Sequence, residues 1–200
     1  VMALVERGAN TEIRTSHSGD YDGNTPLLLA IIHGHSDVAL YLINNGADIY
    51  AKNNSTQQST PLSFATSRNP QGNDIYMYDV AKRLIELQPL STMSNIFKGV
   101  GECNICYDDD KLLINLNTKS TKNRNDCTHS FCAQCILSNC QYKLNRNIPL
   151  ECPMCRENYK FGRRICRIAQ IAVELGMVDG VDALNEGGSR IKKRKTKKRK

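Results

Sequence analysis

Eight residues in the second half of the chain could act together on metal ions. In order they are Cys103-x2-Cys106, Cys127-x-His129-x2-Cys132-x2-Cys135 and Cys152-x2-Cys155. Thiolate sulfur and imidazole nitrogen are the donors a tetrahedral Zn2+ site takes, and a two-residue gap lets one tight turn present two of them. Eight donors are enough for two Zn2+ ions. A disulfide framework needs an oxidising compartment and leaves His129 without a role. All 9 cysteines lie at or after Cys103, so the two halves must be held together by different means. No charged segment followed by a short apolar stretch marks a secretory signal. No apolar run approaches the ~20 residues of a membrane span. The expected compartment is therefore reducing, the cytosol or the nucleus. Cys140 and Cys166 fall outside the pattern and read as buried small hydrophobes rather than nucleophiles.

Three Cys, one His and four Cys in this order and spacing resemble the RING finger. His129 stands fourth among the ligands, whereas the plant-homeodomain finger has its His fifth and carries a Trp, which this chain lacks. The resemblance implies a cross-brace. Cys103, Cys106, Cys132 and Cys135 would hold one Zn2+; Cys127, His129, Cys152 and Cys155 would hold the other. It also implies a shallow groove for a ubiquitin-conjugating enzyme, with Ile105, Pro153 and Met154 as anchor contacts or, alternatively, as packing around the metals. Asn139 takes a position where many members have Trp or another large apolar residue. Arg156, directly after the last ligand, matches the Arg that in active members bridges the conjugating enzyme and its ubiquitin; its alternative is a solvated Arg beside Glu157. A planar group with five donors suits bridging two surfaces.

Other elements must position and deliver this module. Gly23–Asn53 reads GNTPLLLAIIHGHSDVALYLINNGADIYAKN, and its TPLLLA and DVALYLI recur as TPLSFA from Thr60 and DVAKRLI from Asp79. An earlier fragment, Leu4–Asn10, echoes Leu42–Asp48. A period in the thirties with a TPL start resembles the ankyrin repeat. Pro26 and Pro61 suit the first turn of a helix. Leu27, Leu28, Ala30 and Ile31 give one apolar face, and Val38, Leu40, Leu42 and Ile43 a second. Gly34 and Gly46 sit where each helix must stop. Leu28 and Ser63 replace the usual His of the motif, and Asn69–Tyr76 reads as an insertion. Val1 falls inside a repeat, as if the chain were cut from a longer one. Such stacks bind proteins, here an unidentified substrate.

The remaining segments are simpler. Residues 91–101 read as a linker, with one helical turn around Ser94–Phe97. Leu112–Leu116 suits a strand. Phe131 reads as core, and Asp108–Asp110 as a solvated turn. Arg163–Leu175 has helical spacing at Ile165, Ile168, Ala172 and Leu175, with Gly176 at its end; packing on the zinc module or dimerisation are its two uses. Arg190–Lys200 holds nine of the 27 basic residues and leaves the rest of the chain at net −2. This tail reads as disordered. Nuclear import is the first reading, with a nucleic-acid tether or an anionic-surface anchor as alternatives.

The expected fold is thus a mainly α ankyrin-repeat stack (1–90) followed by a linker (91–101) and a small α+β zinc-stabilised RING cross-brace (102–157). A flanking helix (158–177) and the basic tail (186–200) complete it. The expected function is a RING-type ubiquitin ligase, partnered by a ubiquitin-loaded conjugating enzyme and without a nucleophile of its own. A non-catalytic adaptor is the alternative.

Overall fold

The computed structural model describes residues 1–16, 22–55, 59–66, 77–94, 96–114, 129–156 and 162–177. The chain divides into two compact units, Val1–Gln88 and Pro89–Lys200. It is mostly helical, with one three-stranded antiparallel sheet among the described residues.

The first unit contains α1 (Met2–Glu6), α2 (Pro26–Ile32), α3 (Ser36–Asn44), α4 (Pro61–Thr66) and α5 (Tyr78–Leu87). Thr25 caps α2, its Oγ1 accepting the Leu28 N–H at 3.4 Å, and Pro26 opens the helix where no N–H is needed. At α4 the cap is reciprocal. The Ser63 N–H donates to Thr60 Oγ1 at 3.3 Å, and the Thr60 N–H donates to Ser63 Oγ at 2.8 Å. Ser63 thus does the work of the acidic residue in a capping box. Gly34 and Gly46 follow α2 and α3 at φ +77° and +84°, the left-handed geometry that closes a helix.

Within this unit α2 packs on α3 and α4, and α5 on α3 and α4. Leu27, Leu28, Ala30 and Ile31 are buried as their spacing requires. On α3 the buried side chains are Ala39, Leu42 and Ile43, while Val38 and Leu40 stay half-buried. Leu42 and Ile43 are thus buried as expected, while small Ala39, which lets the helix approach its neighbours closely, takes the innermost place in the preceding turn. The repeat is visible in the backbone too. The Ala9 N–H donates to Leu4 O and the Ala47 N–H to Leu42 O, both at 3.0 Å. Asn10 Oδ1 accepts the Glu12 N–H, and Asp48 Oδ1 accepts the Tyr50 N–H, both at 2.8 Å. Arg14 donates across successive loops to Gly23 O at 2.9 Å and Lys52 O at 2.7 Å. The insertion expected at Asn69–Tyr76 lies outside the described residues.

The second unit contains β1 (Phe97–Gly101), β2 (Lys111–Ile114), β3 (Phe131–Cys132), α6 (Ala133–Leu144) and α7 (Gly162–Glu174). The segment read as a linker is therefore in part a strand. A 3-10 turn occupies Leu90–Thr92, and β1 pairs with β2 in the register Val100 with Leu112 and Gly101 with Lys111. A bulge falls between Phe97 and Gly99, and Gly99 takes φ +113° there, a value a side chain would oppose. Pairing with β2, not local propensity, makes this segment extended. β3 adds to the far edge of β2, Leu113 opposite Cys132 and Ile114 opposite Phe131.

Phe131 and Ile136 are fully buried, as are Leu112 and Ile114 on β2. Helix α7 packs on α6. Its buried stripe is Ile165, Ile168, Ala169, Ile171 and Ala172, with Leu175 half-buried. Between these helices lies a correction. Cys140 on α6 and Cys166 on α7 are buried, yet they are not separate hydrophobes: they form a disulfide, with Cα atoms 5.7 Å apart. Both fall on the facing stripes of two packed helices, which brings their sulfurs together. The basic tail lies outside the described residues, and no described helix is long and apolar enough to cross a membrane.

Candidate metal centres and the adjoining groove

The sulfurs of the second unit gather where three turns meet. Cys103 and Cys106 lie on the turn after β1. Cys132 ends β3 and caps α6, which places Cys135 in the first turn of that helix. Cys152 and Cys155 lie on a turn beyond α6. The Sγ atoms of Cys103, Cys106, Cys132 and Cys135 all lie within 4.8 Å of one another. His129, Cys152 and Cys155 form a second group within the same limit, and His129 Nδ1 stands 3.7 Å from Cys152 Sγ. Cys127 lies outside the described residues. Both groups could hold metal ions. Their membership is interleaved: the turn of Cys103 and Cys106 shares one group with Cys132 and Cys135, and His129, between them in sequence, joins Cys152 and Cys155.

The two C-x2-C turns at the ends of the module have the same backbone. The Tyr107 N–H donates to Cys103 O at 2.9 Å, and the Arg156 N–H donates to Cys152 O at 3.0 Å. Each donor residue is left-handed, Tyr107 at φ +56° and Arg156 at φ +61°. A residue with a Cβ pays roughly 1–2 kcal/mol for that conformation.

Electrostatics around the first group are uneven. Burial pushes the Cys103 thiol up, but N–H groups of Cys106, Cys132 and Ile105 outweigh it and bring its pKa down to about 7. One of these donors is the Cys132 N–H, 3.3 Å from Cys103 Sγ. For Cys106, the backbone N–H of Asp108 favours the thiolate, yet burial and the neighbouring sulfurs win and the thiol is raised. Burial, then the hydrogen bond and charge of Cys132, push Cys135 up. Several thiolates crowd one another unless a cation sits among them, and a coordinated thiol is deprotonated.

One contact joins the two groups. Asn104 lies between Cys103 and Cys106, and Ser130 follows His129. The Asn104 N–H donates to Ser130 O at 2.9 Å, and the Ser130 N–H donates to Asn104 Oδ1 at 2.6 Å. Lys98, on the bulge of β1, donates to Ser130 Oγ at 2.6 Å.

Beside the second group runs an open groove of about 520 Å³, between α6 and the last ligand turn. Ile105, Asn139, Pro153 and Arg156 all line it, so four residues singled out from sequence share one wall system. Met154 does not: its side chain is 51% exposed and off the groove. It follows Pro153 on a tight turn, which sends successive side chains apart. The sequence reading missed Lys143 and Glu151, which also line the groove and pair at 3.1 Å, tying the end of α6 to the residue before Cys152. It also missed Tyr142, which lines the groove and carries the Arg146 guanidinium 4.0 Å above its ring. The i, i+4 spacing of that last pair was the available signal.

The family model of the ankyrin repeat matches residues 22–54, and it reaches no part of the cysteine-rich unit. No curated protein and no solved structure matches the chain. An ankyrin repeat points to protein–protein interaction by the first unit.

Proposed function

We propose that the chain is a RING-type ubiquitin ligase whose ankyrin unit recruits a protein substrate. The observation that carries this reading is the groove: Ile105, Asn139, Pro153 and Arg156 converge there, next to two interleaved ligand groups.

Zinc suits both groups. Four sulfurs at ~2.3 Å from one ion would stand roughly 3.8 Å apart, inside the 4.8 Å limit of the first group. Cys103, Cys106, Cys132 and Cys135 would hold one Zn2+; His129, Cys152, Cys155 and Cys127 the other. Bound zinc supplies folding energy here, not reaction chemistry.

In this reading the groove binds a conjugating enzyme that carries ubiquitin as a thioester. Ile105 and Pro153 give apolar contact. Arg156, exposed at the rim, donates hydrogen bonds to both enzyme and ubiquitin and restricts the thioester to its reactive pose. A substrate Lys amine attacks the thioester carbonyl. An isopeptide bond forms, the thiolate leaves, and the Lys proton passes to solvent. No Cys of this chain takes part. The basic run from Arg190 serves nuclear import.

Single-turnover discharge of ubiquitin from a loaded conjugating enzyme tests the proposal. The wild-type chain accelerates discharge to free Lys; Arg156→Ala loses most of that acceleration while it still binds the enzyme and retains metal. A specific residue favours the adaptor alternative: Asn139 puts an amide in the groove where an apolar anchor would strengthen docking. Binding without accelerated discharge across a panel of conjugating enzymes would replace the ligase reading with that one.

A further inference from the structure

The last proposed metal ligand is Cys155, so helix α7 lies beyond the reach of the metal brace. Besides the chain itself, what ties it covalently to the module is the Cys140–Cys166 bridge. We infer that Cys140 and Cys166 form a reversible thiol-modification site, oxidised by a low-molecular-weight disulfide such as oxidised glutathione, that latches α7 onto α6.

Three observations support a bridge that opens and closes. First, the pair is buried, Cys140 at 2% and Cys166 at 6% exposure, but under the wall of a groove and not at the centre of the core. Both cysteines border an open groove between α6 and α7, whose lining includes Gln141, Arg167, Gln170 and Glu174. A small thiol or disulfide can therefore reach the groove, and Arg167 in its lining suits an anionic tripeptide. Glu174 is engaged by Gln170 at 3.1 Å, which tempers its charge in the same groove. Second, α7 does not depend on the bridge alone. Ile165, Ile168, Ala169, Ile171 and Ala172 are buried, so the helix stays near α6 when the bond is open and the thiols remain within reach. Third, these two cysteines belong to neither ligand group, so their oxidation leaves both groups intact.

The chemistry balances. One protein thiolate attacks oxidised glutathione, forming a mixed disulfide and releasing one glutathione thiol. The second protein thiolate attacks the protein sulfur of that mixed disulfide, closes the Cys140–Cys166 bond and releases the second glutathione. Two protein thiols lose two electrons and two protons, and one oxidised glutathione becomes two reduced molecules. The consequence falls on α6, which carries the bridge on one face and Asn139, Tyr142 and Lys143 of the other groove on its opposite face.

The test equilibrates the full, zinc-loaded chain in glutathione mixtures of stepped reduced-to-oxidised ratio. Free thiols are trapped with a maleimide and assigned by peptide mass, native mass spectrometry counts bound zinc, and amide exchange is followed along α7. Across the ratios that separate reducing from oxidising compartments, Cys140 and Cys166 pass together and reversibly from labelled to bridged. Bound zinc stays constant, and α7 amides exchange about ten-fold slower in the bridged form. In Cys166→Ser, and separately in Cys140→Ser/Cys166→Ser, α7 exchange no longer responds to the ratio. The inference is overturned by a pair that stays as thiols in oxidised glutathione or stays bridged in excess reduced glutathione. Release of zinc before the bridge forms overturns it as well, as does α7 exchange that tracks the ratio in the double variant. Because ligase turnover is not a readout, failure here is distinct from failure of the ligase reading.

Discussion

The two units of this chain reach order by different routes. In the first, order comes from apolar faces: Leu28, Leu42, Leu84 and Ile85 are fully or almost fully buried, and polar caps and loop hydrogen bonds only trim the helix ends. In the second, strands are short, β3 having two residues, and each of the two outer ligand turns leaves one sulfur at the surface, Cys106 and Cys155. A domain of this size buries too little apolar area to be secure without added cross-links. Stacked helices tolerate changes of surface and loop because many weak contacts share the load. A ligand cluster has no such latitude, since each donor is indispensable to its ion.

Removing metal should separate the units most sharply. Each structural zinc would supply roughly 10–16 kcal/mol of apparent binding energy near neutral pH. A strong chelator should therefore unfold the second unit while the first keeps its helices. Amide exchange resolved by peptide reads this out, and parallel loss of protection in both units would refute the contrast. A core deletion should give the mirror image: Leu84→Ala, at a fully buried site, should cost about 2–5 kcal/mol in the first unit. Denaturant melts should report that loss while zinc content stays at the wild-type value.

Smaller effects sharpen the comparison. Arg156→Gly removes the guanidinium and also relieves the left-handed backbone at φ +61°. The variant should hold zinc at least as firmly and gain up to about 1 kcal/mol, yet discharge ubiquitin as poorly as Arg156→Ala. A variant less stable than wild type would show that the side chain, not the backbone, secures this turn. Least of all should come from the exposed Arg83–Glu86 pair at 2.8 Å. Glu86→Ala should shift stability by less than about 0.5 kcal/mol, and a shift beyond 1 kcal/mol in a thermal melt would mean that surface charge contributes more to the helical unit than its packing suggests.

Sequence and structure agree best where a periodic pattern is long. The faces of α2 and α7 and the Gly at the ends of α2 and α3 follow from residue spacing. On α3 the spacing passed over Ala39, which has too little apolar weight to be picked out beside Val38 and Leu40, although its small size is what favours burial. β1 was hidden for another reason. Two of its five residues are Gly, which read as linker, and its extended form depends on β2, whose paired residues lie 10 to 17 positions further on. The bridge was hidden because no local signal says which of nine cysteines face each other; only the packing of α6 on α7 decides it. Of the groove lining, Ile105, Asn139, Pro153 and Arg156 had been singled out through the family resemblance. Lys143 and Glu151 were not, since nothing in either neighbourhood announces a partner eight residues away.

The reciprocal bonds between Asn104 and Ser130 would make metal binding at the two candidate groups thermodynamically dependent. His129 and Cys132 contribute to different groups from a single four-residue stretch, and Asn104 grips that stretch from the turn that bears Cys103 and Cys106. An ion in either group would fix the backbone the other needs, so each would raise the other's affinity by the same factor, as reciprocity requires. Metal should then leave in one cooperative step, with few singly loaded molecules at any chelator concentration. Asn104→Ala should split that step in two, and native mass spectra would show the one-ion species that the intact contact keeps scarce.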